Sequence, residues 1–77
     1  MNKERFVEFY LTAMMKAATG GHVRKLTYQQ CAGVRKKAAI KEFVTVDFAD
    51  LSTLRVDISG GDFLAISLEV IRAVQQR

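Results

Sequence analysis

The sequence contains no proline and no tryptophan, and it has only five glycines and one cysteine. So little proline and glycine argues against a disordered tail or a low-complexity linker. Cys31 alone cannot form an internal disulfide, and small secreted domains often depend on disulfides, so a reducing cytoplasm is favoured. No apolar run approaches the roughly 20 residues that span a bilayer, and we expect no signal peptide and no membrane contact.

Recognisable motifs for catalysis or for metal binding are missing as well. His22 is the only histidine, so no His/Cys cluster exists to hold a metal ion. Gly60-Gly61 lacks the lysine of a phosphate-binding loop, and the following Asp62 would repel a phosphate. We expect Cys31 to be a buried structural thiol. The sequence predicts no enzyme, no cofactor, no metal and no small-molecule ligand.

The chain of 77 residues is predicted to form one domain, 1–77, close to the lower size limit for independent folding. Its net charge of +4 is spread unevenly. The segment 24–41 holds basic residues and no acid, whereas the C-terminal half is mildly acidic. The basic residues are Arg24, Lys25, Arg35, Lys36, Lys37 and Lys41.

Residues 3–19 are predicted to form a helix, with Asn2 as its N-cap and Gly20 at its end. Its polar residues recur at steps of three and four and make one narrow stripe: Arg5, Glu8, Thr12, Lys16 and Thr19. Nearly everything between them is apolar, so the helix must be covered on more than one side. We expect a partner or a second copy to contact Phe6, Phe9, Tyr10 and Met14.

Residues 22–41 have two interpretations. The favoured one is a second helix over about 27–41, with Thr27 as its N-cap, because most of these residues are good helix formers. The other is a strand over 22–30, with His22, Arg24, Leu26 and Tyr28 on one face and a turn near Ala32-Gly33.

Two strands are predicted over 43–48 and 54–58, joined by a short hairpin connection. Each alternates apolar and polar residues, so the pair has one apolar face and one wet face. Asp47 and Asp57 fall on the wet face, where they form either a carboxylate pair or part of a solvated surface.

A last helix begins after Gly60-Gly61, with Ser59 or Asp62 as its N-cap. The expected fold is a small α+β domain in which the N-terminal and C-terminal helices pack on one face of a two- or three-stranded antiparallel sheet. A two-stranded sheet is marginal in water, so either 22–30 adds a third strand or two protomers share a surface.

Two functions from different classes follow. The first is a non-catalytic protein-binding module that associates with itself, a dimer being favoured, and acts as a small regulator or inhibitor. In size and plan the chain resembles short accessory proteins of phages and mobile elements. The alternative is a nucleic-acid-binding module in which the basic segment 24–41 contacts phosphates, or docks an acidic partner.

Overall fold

The computed structural model describes residues 1–31 and 41–77. Helix α1 consists of three consecutive segments, Lys3–Arg5, Phe6–Leu11 and Thr12–Ala18, of which the middle one is π-helical. The strands β1 (Val23–Cys31), β2 (Lys41–Phe48) and β3 (Thr53–Asp57) form an antiparallel sheet in the order β1-β2-β3. Helix α2 spans Phe63–Gln75. The predicted small α+β architecture is confirmed.

Helix α1 begins and ends where the sequence places it. The Asn2 side chain accepts a hydrogen bond from the Arg5 backbone N–H at 2.8 Å, as an N-cap does. At the other end the chain leaves the helix through Gly20, whose φ of 61° lies in the left-handed region that glycine adopts without strain.

The core lies between the helices and one face of the sheet. Val44, Val46 and Phe48 of β2 are fully buried, and Val56 and Ile58 continue this face at the third strand. Val7, Leu11 and Met15 of α1 and Ile66 and Val70 of α2 cover it. The alternation predicted for both strands is confirmed, because apolar residues at every second position share one face.

The helix expected over about 27–41 is wrong at both ends, because Thr27–Cys31 belong to β1 and Lys41 begins β2. Pairing with β2 outweighs the local helix propensity of this segment. The part of that helix over 32–40, with the turn near Ala32-Gly33, falls outside the described residues. The rival interpretation, a strand over 22–30, nearly coincides with β1. It differs at the start of the strand, where an irregularity in the register between Val23 and Lys25 places Val23 in the core and leaves Arg24 exposed.

The strand-to-helix corner uses Asp62 as the N-cap of α2. Its carboxylate accepts from the Ala65 N–H at 2.8 Å, whereas the Ser59 hydroxyl accepts from the Glu42 N–H of β2. The Ser59 alternative is therefore wrong. Gly60 has a φ of 77°, which glycine adopts without strain. A Cβ at Gly61 would lie 3.2 Å from the Ile58 carbonyl oxygen, so the backbone favours glycine at both positions.

Cys31 is exposed at the end of β1, so the buried thiol expected there is wrong. Cys31 lies opposite the exposed Lys41 of β2, on the wet face of the sheet and not on the face that the helices cover. Across residues 1–31 and 41–77, no helix has the length and apolar character needed to cross a membrane.

Candidate functional site

Three residues of the polar stripe of α1, Glu8, Thr12 and Thr19, lie against the outer edge of β1, whereas Arg5 and Lys16 of the same stripe are exposed. Thr19 Oγ1 accepts from the Val23 N–H at 3.0 Å, and Thr12 Oγ1 accepts from the Leu26 N–H at 3.1 Å. A third hydrogen bond runs from the Tyr28 N–H to a Glu8 carboxylate oxygen at 3.0 Å. The side chains of α1 therefore satisfy backbone donors that an edge strand would otherwise present to water or to another chain.

The π-helical segment helps to create this arrangement. The Thr12 N–H bonds to the Val7 carbonyl oxygen five residues earlier, and the Thr12 hydroxyl donates to the same oxygen at 2.9 Å. A wider turn brings residues four apart closer to one line along the helix. Glu8 and Thr12 consequently both reach the edge of β1, while Val7 and Leu11 point into the core.

Because Glu8, Thr12 and Thr19 face the edge of β1, apolar side chains on another side of α1 are left in solvent. Phe9 is 66% exposed, Tyr10 53% and Met14 56%, and together with Arg5 and Ala13 they line a shallow apolar depression. We call Phe9, Tyr10, Ala13 and Met14 the α1 surface. Phe6, also expected in a contact surface, is half-buried instead.

Helix α2 adds more exposed apolar area. Phe6 of α1 stacks on Phe63 of α2 with ring centroids 4.5 Å apart, which joins the beginnings of the two helices. Leu64 and Leu68, on one flank of α2, are 69% and 54% exposed. Large apolar side chains are therefore exposed on both helices.

The basic residues that the structure describes do not form one cluster. In the strand register, Lys25 lies opposite Asp47 near one end of the sheet, whereas Lys41 lies opposite Cys31 near the other. The two positions are six residues apart along β2, or about 20 Å at the rise of a strand. Arg24 is exposed beside Lys25. The remaining predicted contacts, Arg35, Lys36 and Lys37, lie outside the described residues.

A buried carboxylate, Glu42, joins four parts of the fold. Lys3 Nζ lies 3.0 Å from both of its oxygens, the Tyr28 hydroxyl donates to one, and the Gly60 N–H donates to the other at 3.3 Å. The hydrogen bond from Tyr28, aided by those from Lys3 and Gly60, holds the pKa of Glu42 below its usual range against the opposing effect of burial. Burial and this carboxylate raise the pKa of Tyr28 to about 12.

The geometry around Glu42 is that of a structural clamp. Each carboxylate oxygen already accepts from two donors, Lys3 and Gly60 at Oε1 and Lys3 and Tyr28 at Oε2. An ionised carboxylate has about four acceptor sites, so little capacity is left for a substrate proton. The cluster ties the start of α1 to the sheet and to the corner before α2.

Sequence reasoning missed Glu42, although a signal was present. Glu42 precedes Val44, Val46 and Phe48 at steps of two, so the same alternation places it on the core face. An acid at a core position calls for a buried partner. The chain offers Lys3 and Tyr28, which are far from Glu42 in sequence, and only the folded sheet brings them to it.

The two carboxylates on the wet face of the sheet, Asp47 and Asp57, lie far apart. Asp57 pairs with Phe43, whereas Asp47 pairs with Thr53. Since Phe43 and Asp47 are four residues apart on β2, the two acids are separated by about 13 Å and cannot share a proton or a metal ion. The Arg55 guanidinium lies 3.7 Å above the Phe43 ring on this face. No group of three metal-ligating side chains occurs within 1–31 and 41–77.

Comparisons with known proteins supply no relative: no protein-family model, no curated protein and no solved structure matches this chain.

Proposed function

We propose that this protein is a non-catalytic protein-binding module that associates with itself and acts in the cytoplasm as a small regulator or inhibitor. The α1 surface is its contact site. The observation that carries the proposal is the orientation of α1. Polar residues of this helix hydrogen-bond to the edge of β1, while Phe9, Tyr10 and Met14 stay more than half exposed. Covering such side chains is the main favourable contribution to association.

The composition of the surface fits a protein partner. Aromatic residues and methionine are enriched at protein interfaces, and Ala13 leaves room for a partner's backbone or side chains to approach. Arg5 lies at the rim of the same depression, with its guanidinium 5.5 Å from the Phe9 ring. An apolar centre with a charged rim is the usual arrangement of such an interface.

The test is the oligomeric state at micromolar concentration, measured by size-exclusion chromatography with light scattering. The wild type is expected to form a dimer, and Phe9→Ser and Met14→Ser are each expected to weaken the dimer about tenfold or more, because a buried apolar side chain contributes about 1.5–3 kcal/mol. Both side chains are exposed, so circular dichroism should show an unchanged fold.

Leu51→Ser is the matched control, since Leu51 is 79% exposed in the β2–β3 connection and outside the α1 surface. It removes as much exposed apolar area and should leave association unchanged. A strictly monomeric wild type that also captures no partner in a pull-down would refute the proposal. Equal weakening by Leu51→Ser and Phe9→Ser would show that the effect is not specific to α1.

A further inference from the structure

The outer side of β3 differs from the outer side of β1. Within residues 1–31 and 41–77, β3 pairs only with β2. The Ile58 N–H donates to the Glu42 carbonyl oxygen, and the Phe48 N–H donates to the Ser52 carbonyl oxygen. In an antiparallel ladder the backbone N–H and C=O groups of successive residues alternate in direction. The backbone groups of the even-numbered residues of β3 are therefore directed at β2, and those of Thr53, Arg55 and Asp57 are directed away from it.

The outward positions carry alternating charge. Arg55 and Asp57 are both exposed and both lie on the wet face of the sheet, because Val56 between them points into the core. β3 has no proline and no lysine, two common features that keep edge strands from pairing. Arg55 rests over the Phe43 ring, which holds its charge close to the strand.

We propose that β3 is a second interaction surface, on which β3 of another copy of this chain pairs antiparallel about a two-fold axis at Val56. In this register Arg55 of each copy lies directly opposite Asp57 of the other, and each such pair exchanges two backbone hydrogen bonds. Shifting the axis to Arg55 would place two arginines opposite one another, which is unfavourable. Charge complementarity therefore selects both the occupant and the register.

The result is a continuous six-stranded sheet with the helices of both copies on one face. This interface is short and buries little area, so the association is expected to be weak, in line with small transient contacts. It does not depend on the α1 surface, because α1 lies along β1 and β3 forms the opposite edge of the sheet. The two proposals can fail separately.

A charge exchange between two variants tests the register. Arg55→Glu makes both cross-strand pairs acid against acid, and Asp57→Lys makes both base against base. Each variant alone is expected to dissociate about tenfold more readily at low ionic strength. An equal mixture should recover the wild-type affinity, since one copy then offers two acids and its partner two bases. Lys25→Glu, on β1 of the same face, is the control and should change nothing.

Amide exchange of the wild type gives a second measurement that needs no substitution. The amides of Arg55 and Asp57 should be slow at millimolar and fast at micromolar concentration, whereas those of Leu54 and Val56, directed at β2, should be slow at both. This measurement decides the matter if Asp57→Lys does not fold, because Asp57 also accepts from the Ser59 N–H. Exchange at Arg55 and Asp57 that does not depend on concentration, or that slows only when a different protein is added, would overturn pairing between copies.

Discussion

Replacing Glu42 with glutamine removes the charge at the junction of α1, β1, β2 and the corner before α2. The glutamine amide nitrogen cannot accept, so either the Tyr28 hydroxyl or the Gly60 N–H loses its acceptor, and Lys3 loses its counter-ion. Breaking a buried ion pair costs about 3–5 kcal/mol. The Lys3 side chain is 32% exposed and can return its charge to water. We therefore expect a loss of about 2–3 kcal/mol.

Such a loss is a large part of the stability of a domain this small, for which about 4–12 kcal/mol is typical. It should lower the melting temperature by roughly 10–20 °C and move the urea midpoint without changing the denaturant dependence. Tyr28→Phe removes one donor and leaves the ion pair, so about 1 kcal/mol is expected. A double-mutant cycle with Glu42→Gln isolates the energy of the Tyr28–Glu42 hydrogen bond.

The dependence of stability on pH provides a separate readout. The unfolded chain protonates Glu42 near its ordinary pKa of 4.5, whereas the folded chain holds the carboxylate ionised to lower pH. The stability that the carboxylate supplies is complete above pH 4.5 and is lost as pH falls through the folded pKa. Glu42→Gln should be less acid-sensitive in this range. Hydrogen bonds from neighbouring serines also lower the pKa values of Asp50 and Asp57. The stability of the variant should therefore still fall somewhat as pH falls.

The clamp would be refuted by a Glu42→Gln variant within about 0.5 kcal/mol of the wild type, the range of ordinary surface substitutions. An unchanged acid transition would contradict the same reasoning.

Two predictions concern other parts of the fold. Thr12→Val keeps the shape of the side chain but leaves the buried Leu26 N–H without an acceptor, so urea unfolding should show a loss of about 1–2 kcal/mol, and Thr12→Ser should restore most of it. Leu51→Asn should raise stability by about 0.5–1 kcal/mol, because Leu51 has a φ of 73° that asparagine adopts more readily. An unchanged urea midpoint for Leu51→Asn, or equal losses for the two Thr12 variants, would contradict these expectations.

Local signals in the sequence were enough for the two terminal helices and for β2 and β3. Asn2 and Gly20 mark the ends of α1, and alternation places Val44, Val46 and Phe48 on one face. These features depend on neighbours within a few residues, which is why the pattern alone predicts them.

The errors fall where distant residues decide the outcome. Thr27–Cys31 becomes a strand because β2 is available to pair with it, an interaction that helix propensities do not contain. The clamp around Glu42 joins residues up to 39 positions apart. The stripe in α1 can be found from the sequence, but its contacts cannot, since only the position of the β1 edge shows that Glu8, Thr12 and Thr19 serve as acceptors.

Both proposed contact surfaces arise from one property of the sheet. Three strands in an open sheet leave two edges, and each edge presents unpaired backbone groups. The chain covers the β1 edge with the polar residues of α1, and apolar residues of the same helix are then left in water. At β3 no described residue covers the edge. A variant that makes the outer face of α1 more polar, such as Phe9→Ser, should therefore weaken contacts at α1 about tenfold or more and leave pairing at β3 unchanged.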